Sequence, residues 1–378
     1  MQLVKTTGVK EPAARMAEEP IRSGQVSCYT IPTDAPEADG TLSWNKTTLV
    51  VVVLQAAGRT GIGYSYADTA TGLLARTLIK EVAVGRNAFD IPSLWLALLG
   101  AIRNLGREGI AAMAIAAIDN AAWDLKAKLL DVPLIALLGR IRDRIPVYGS
   151  GGFTSYSDAQ LQAQFENWKE QGFHIMKMKV GSDPGRDLHR VQVARKAIGD
   201  DIQLFVDANG AYSRKQALWF AERYAELNVR WFEEPVSSDD LEGLRLIRDR
   251  APAGMDIAAG EYGYNSTYFR RMLGAGAVDV LQADATRCCG ISGLLAAGAL
   301  CDAAAIPMSA HCAPYLHASP CCSLIRMRHV EYFHDHARIA GMLFEGVEEP
   351  QQGTLLPNST RPGIGLELKR ADAEKYRV

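Results

Sequence analysis

Two rhythms of apolar and polar positions divide the chain. Residues 21 to 67 read as strands: Thr48 to Gln55 is a β-branched run, and Gly58-Arg59-Thr60-Gly61 predicts a hairpin turn into Ile62-Gly63-Tyr64-Ser65-Tyr66. The polar stretch Pro32 to Gly40 carries Pro and Gly and predicts a loop. Helical periodicity follows over Thr71 to Val84, Ile91 to Leu105 and Ile110 to Leu130; the last is Ala-rich, with Pro133 shortly beyond its end.

After Arg144 the pattern becomes a regular strand–helix alternation. Strands are predicted at Pro146–Gly151, His174–Val180, Ile202–Asp207, Arg230–Glu233, Asp256–Glu261, Val278–Asp284, Ile306–His311 and Met342–Glu345. Helices such as Arg186–Ile198, Arg214–Leu227, Asp239–Arg250 and Ile291–Ala305 fill most of the gaps. Repeated βα units imply a parallel sheet, and eight units with polar residues at nearly every strand end favour a closed (β/α)8 barrel over an open sheet. The tail from Pro350 is expected to pack back on the first domain. The expected division is therefore an N-terminal unit, 1–133, completed by 350–378, and a barrel, 134–349.

Three strands end in acids. Asp207, Glu233 and Glu261 stand 26 and 28 residues apart, about one βα unit each. On one rim of a barrel such carboxylates repel unless a hard cation joins them, and Mg²⁺ is the natural choice where water or substrate oxygens complete the shell. Taken singly, each is an ordinary cap or surface acid. Glu234 follows Glu233 by one and is expected to point away. Asn209, two beyond Asp207, is a candidate substrate ligand.

The other strand ends supply acid–base groups. Lys177 and Lys179 are two apart on one strand, hence on one face and roughly 6.6 Å apart along it. Mutual repulsion is expected to lower at least one pKa from its usual ~10.4, as a lysine base requires. Asp284 and His311 close adjacent strands, where the acid would fix the imidazole's tautomer. Glu345, at the predicted eighth strand, is the candidate for stabilising an oxyanion. Together these residues suit removal of the proton α to a metal-bound carboxylate, with Lys179 on one face and His311 on the other, while Lys177 and Glu345 stabilise the enediolate.

Bulk properties narrow the partners to small molecules. The chain has 378 residues, 48% hydrophobic and 22% charged, with a net charge of −2 that gives no case for nucleic acid or an anionic membrane. Met1 to Lys10 hold no apolar signal-like core, and the apolar stretch before Asp119 is too short to span a bilayer, so a cytoplasmic location is expected. Six of the seven cysteines lie between Cys288 and Cys322 without a Cys-x-x-Cys pair, which favours reduced core cysteines over a zinc site.

These motifs resemble the enolase superfamily, and within it the mandelate racemase subgroup. The likeness rests on Lys177-Met178-Lys179-Val180-Gly181, Val206-Asp207-Ala208-Asn209-Gly210, Trp231-Phe232-Glu233-Glu234-Pro235, Gly260-Glu261, Ala283-Asp284-Ala285-Thr286-Arg287, Ser309-Ala310-His311 and Phe344-Glu345. The run from Ala117 to Lys128 is similar to the family's last cap-domain helix. The resemblance implies an α+β cap over a modified barrel, one Mg²⁺, Lys179 as one base and the His311–Asp284 dyad as the other, and a homo-oligomer, often an octamer. Glu at position 261 is similar to the mandelate racemase group, and Asp there would suit the muconate lactonising group. One departure is Cys289, where the family pattern has the first Gly of a pair.

Two outcomes of one enediolate then compete. The polar segment Thr33 to Trp44, with Asp34, Glu37 and Asp39, favours dehydration of a sugar acid. Trp44, Tyr64 and Tyr66 would equally line an aromatic pocket for a racemase of an α-hydroxy acid. A zinc hydrolase built on His334-Asp335-His336 and a non-catalytic barrel are remoter alternatives.

Overall fold

The computed structural model describes residues 18–378; the stretch Met1 to Lys10, read above for a signal, lies outside them. The first unit opens with an antiparallel sheet of β1 (Ser23–Ala38), β2 (Ser43–Ala56) and β3 (Arg59–Tyr66). The stretch Pro32 to Gly40 is not the predicted loop. Most of it continues β1, with a register break between Pro32 and Glu37, so β1 and β2 form a long hairpin that reaches over the barrel. The β2–β3 turn is Ala57-Gly58 rather than Gly58 to Gly61. Both residues have positive φ, 44° and 73°, as a two-residue turn matching strand twist requires.

Helices α1 (Thr69–Leu78), α2 (Ile91–Ala101) and α3 (Ile110–Leu129) follow, and α1 runs into a π turn, Ile79–Ala83. The Ala-rich α3 is almost wholly buried because it is wedged between the sheet and the barrel. A Cβ at Gly63 would come within 2.4 Å of backbone atoms of α3, so only glycine allows this approach. The buried polar residues of α3 bolt the two units together. Asn120 Nδ2 donates to Ala285 O (3.0 Å), its Oδ1 accepts from Ile291 N (3.0 Å), and Asp119 accepts from Ser292 N and Oγ (2.9 and 2.7 Å).

The second unit is a closed barrel of eight parallel strands: β4 (Ile145–Gly151), β5 (Ile175–Lys179), β6 (Gln203–Asp207), β7 (Val229–Glu233), β8 (Asp256–Ala259), β9 (Val280–Ala283), β10 (Met308–Ala310) and β11 (Met327–Phe333). Closure is the pairing of β11 with β4, Val330 opposite Val147. Tyr148, Phe205, Trp231, Ala258 and Val280 fill the interior, which makes the barrel a packed core rather than a pore.

The eighth strand is Met327–Phe333, not Met342–Glu345. The apolar run before Glu345 instead ends an amphipathic helix, His334–Leu343. Glu345 itself is exposed and pairs with Glu367 in a two-residue ladder. The C-terminal tail touches both units: Leu355 pairs with Ile145, Ile364 N donates to Asp124 (2.7 Å), and Thr30 N donates to Tyr376 O (2.8 Å).

Candidate active site

The C-terminal rim of the barrel gathers the predicted acids and bases. Register places Lys179, Asp207 and Glu233 side by side on β5, β6 and β7. Glu261 follows β8 after Gly260, whose φ of 134° turns the chain inward against Gln282. One carboxylate oxygen from each of Asp207, Glu233 and Glu261 lies within 4.8 Å of the others, and all three residues are buried. Glu261 Oε2 has no hydrogen-bond partner. Three converging buried carboxylates, with Glu261 Oε2 free of hydrogen bonds and met only by His311 Nε2 at 3.3 Å, fit a hard divalent cation such as Mg²⁺. Glu234 stays outside this trio. It is buried, and burial together with Glu261 and Asp207 pushes its carboxyl well above the usual range.

The lysines contact these same acids. Lys179 Nζ bonds Asp207 Oδ2 (2.5 Å), and Lys177 Nζ bonds Glu233 Oε1 (2.6 Å) and Glu331 Oε1 (2.9 Å). The expected lowering of a lysine pKa is therefore not what this arrangement gives. For Lys179, burial, the largest influence, and Lys177 act to lower the pKa, but Asp207, Glu261 and Glu331 together outweigh them and the pKa lies above the ordinary value. Lys177 is raised likewise, against burial, chiefly by Glu233 and Glu331. A cation on the three carboxylates would take over part of that negative charge.

The dyad forms as expected. His311 Nδ1 lies 2.8 Å from Asp284 Oδ2, with Nε2 facing Glu261 Oε2 at 3.3 Å. Burial disfavours the imidazolium, yet Glu261, Glu331 and the Asp284 hydrogen bond together hold the His311 pKa above its usual value. Burial also opposes the charge on Asp284, but the His311 hydrogen bond and charge keep this carboxyl well below the carboxylate range. Cys289, in place of the family's Gly, adopts the left-handed conformation (φ 64°) that Gly would favour, so the loop to the next helix keeps its course.

A cavity of about 410 Å³ lies between rim and cap. Lys179, Asn209, Glu261, Asp284, Arg287 and His311 line it from the barrel, while Asp39, Trp44, Thr48 and Tyr66 line it from the cap. Tyr64, expected in the pocket, is instead buried and stacked on Phe344; Tyr66, two residues further along the same face of β3, lines the cavity. Of Asp34, Glu37 and Asp39, only Asp39 reaches the cavity. Its carboxylate is partly occupied in capping the turn at Thr41 and Leu42.

Glu331 went unread in the sequence. It sits on β11 and takes bonds from Lys177, Ser150 Oγ (2.6 Å) and Cys312 N (3.0 Å), the place assigned above to Glu345. Burial opposes its charge, but Lys177 and His311 hold it well below the ordinary range. Spacing alone did not reveal it, because starts at 327 and 342 lie about equally far on either side of the βα period counted from β10. Arg287, quoted only as part of a motif, bonds Glu261 Oε1 (3.1 Å). The His334-Asp335-His336 run begins a helix, where residues two apart diverge. His334 meets Asp34, while His336 stacks on Tyr66 beside the cavity, so the two histidines do not form the zinc pair.

The description of the N-terminal domain of mandelate racemase/muconate lactonizing enzyme matches residues 26–139, and the enolase C-terminal domain-like description matches residues 160–373. The chain belongs to the enolase superfamily. Its barrel acids and Glu261 agree with the mandelate racemase group within that superfamily. L-talarate/galactarate dehydratase of Salmonella typhimurium is 34% identical over 252 residues, 65% of this chain and 63% of that enzyme's own length. A mandelate racemase/muconate lactonizing enzyme-like protein of Rubrobacter xylanophilus superposes with a TM-score of 0.92 at 49% identity, covering 95% of this chain and 100% of that one. A racemase of Streptomyces coelicolor with bound magnesium gives 0.88 at 27% identity, over 95% and 100% of the two chains. Magnesium is the cofactor of this superfamily group, and its members are enzymes: dehydratases, cycloisomerases and racemases. Among the described residues no helix is long and apolar enough to cross a membrane.

Proposed function

We propose that the protein is a magnesium-dependent dehydratase of an acid sugar. The observation that carries this is the cavity itself: two acid–base groups, Lys179 and His311, face it beside the three-carboxylate cluster, and the remaining wall is rich in hydroxyl and carboxylate groups suited to a polyol chain. Asp207, Glu233 and Glu261 would hold Mg²⁺, which when bound supplies Lewis acidity toward a substrate carboxylate. Lys179 removes the α-proton. Lys177, anchored by Glu331, contributes positive charge as the enediolate develops. His311, its Nδ1 held by Asp284, delivers a proton from Nε2 to the departing β-hydroxyl. Asn209 and Arg287 orient the substrate from the rim. Trp44 closes the cavity from the cap.

Racemisation of an α-hydroxy acid is the second reading. Its support is the aromatic pair Trp44 and Tyr66 in the same cavity, together with two bases available to opposite faces. The catalytic unit of this proposal is 134–349, with 1–133 and 350–378 forming the cap. A cytoplasmic homo-oligomer, up to an octamer, accompanies it; the exposed Leu96 and Leu105 of the cap suit a subunit contact. A panel of aldonates and aldarates, incubated with enzyme and Mg²⁺, tests the reaction. A 2-keto-3-deoxy acid trapped as its semicarbazone supports dehydration, and inverted substrate without keto acid supports the racemase.

A further inference from the structure

Away from the catalytic rim, the seam between the β1–β2 hairpin and the barrel holds a second convergence of metal-ligating groups. His334 opens the helix that follows β11, and its Nε2 lies 2.9 Å from Asp34 Oδ2 of the hairpin. Glu37, beyond the register break of β1, is fully buried. Its Oε2 accepts from Trp44 Nε1 at 2.7 Å, while Oε1 has no hydrogen-bond partner. One ligand atom from each of Asp34, Glu37 and His334 lies within 4.8 Å of the other two.

We propose that Asp34, Glu37 and His334 form a second divalent-metal site, selective for a zinc-class ion, that staples the hairpin to the barrel. One nitrogen and two carboxylate oxygens suit Zn²⁺, whereas Mg²⁺ prefers an all-oxygen octahedral shell. Asp34, Glu37 and Asp335 are gathered here, and the nearby cation Arg338 is bonded to Asp335. The Trp44 bond holds the Glu37 carboxylate by Oε2 and leaves Oε1 free, as outer partners of metal ligands do. Asp34 is exposed and His334 half-buried, which leaves an entry path.

The consequence lies in the cavity. Trp44 and Asp39, which line it, ride on this hairpin. Occupancy of the staple would fix their positions without touching the catalytic carboxylates. The ordinary counter-explanation is a His334–Asp34 ion pair beside a protonated Glu37, with no metal.

The test uses chelator-stripped protein reloaded with saturating Mg²⁺ and then equilibrated with Zn²⁺. Metal content per chain is measured for wild type, His334→Ala and Glu37→Gln, and zinc-soaked wild-type crystals are examined for anomalous scattering. The expected result is one more zinc per chain in wild type than in either variant, and an anomalous peak between the three side chains. Zinc should also slow hydrogen exchange across residues 33–44 in wild type and not in His334→Ala. Equal zinc content in wild type and both variants, or anomalous scattering confined to the Asp207–Glu233–Glu261 cluster, would overturn the proposal. If a variant fails to fold, the wild-type anomalous map decides alone.

Discussion

His311 Nδ1 and Asp284 Oδ2 are 2.8 Å apart on the ends of neighbouring strands, both buried, and this one contact sets which nitrogen of the imidazole faces the cavity. With Asp284 accepting, the proton sits on Nδ1 and Nε2 is left to exchange protons with substrate. Asp284→Asn keeps the shape and loses the charge. Turnover is expected to fall by about 10²–10⁴-fold, with a much smaller change in KM. Steady-state kinetics on the best acid-sugar substrate check this, and an unchanged kcat would remove Asp284 from the proton-transfer machinery.

Glu331 and Glu345 make opposite predictions. Glu331 bonds Lys177, Ser150 and Cys312, whereas Glu345 is exposed at the edge of a two-residue ladder. Glu331→Gln is expected to lower kcat by about 10–100-fold through loss of the Lys177 counter-charge. Glu345→Gln is expected to leave turnover and melting temperature unchanged. The reverse pattern would restore Glu345 to the site.

That pair also marks what the chain makes legible. Residues at strand ends were readable because a strand period of two and a βα period near 27 residues leave little freedom: Lys177, Lys179, Asp207, Glu233, Glu261, Asp284 and His311 all reach one rim. The eighth strand was misplaced because Met342-Leu343-Phe344 is apolar in either a strand or the end of an amphipathic helix, and a run that short cannot decide between them. Tyr64 and Tyr66 are two apart and share a face of β3, but which of them is covered by Phe344 and which is left to the cavity is a tertiary fact. The lysine pKa direction escaped for a similar reason: the spacing Lys-x-Lys announces repulsion and says nothing of the carboxylates of other strands.

Asp119 gives a pH prediction far from the chemistry. Burial, opposed by hydrogen bonds from Ser292, raises its pKa from 3.8 to about 7. The folded state then keeps a proton that the unfolded chain releases between those values, so the contribution to stability falls as pH rises through that window. Asp119→Asn, which can still bond Ser292, lacks this slope. Relative to the variant, wild type should lose on the order of 1–3 kcal/mol between pH 4 and pH 8, read from paired thermal melts. Parallel melting curves across that range would contradict the assignment.

Metal removal should stop turnover without unfolding the chain. Lys177 and Lys179 already bond Glu233 and Asp207, so the carboxylate cluster is partly neutralised from within. After chelation, activity is expected to vanish and to return with Mg²⁺, while the far-ultraviolet circular dichroism stays native. Full activity after exhaustive chelation would remove the metal from the reaction, and unfolding on chelation would show that the lysines do not suffice.

The most direct test of the central claim is the fate of the α-proton. An aldarate or aldonate that the Mg²⁺-loaded enzyme consumes is incubated in D₂O and followed by proton NMR, with wild type, Lys179→Met and His311→Asn side by side. The account predicts loss of the α-proton signal and a 2-keto-3-deoxy product carrying solvent deuterium at C3, with both variants at least 10²-fold slower. Product formed with the α-proton retained, or unchanged turnover by both variants, would contradict it.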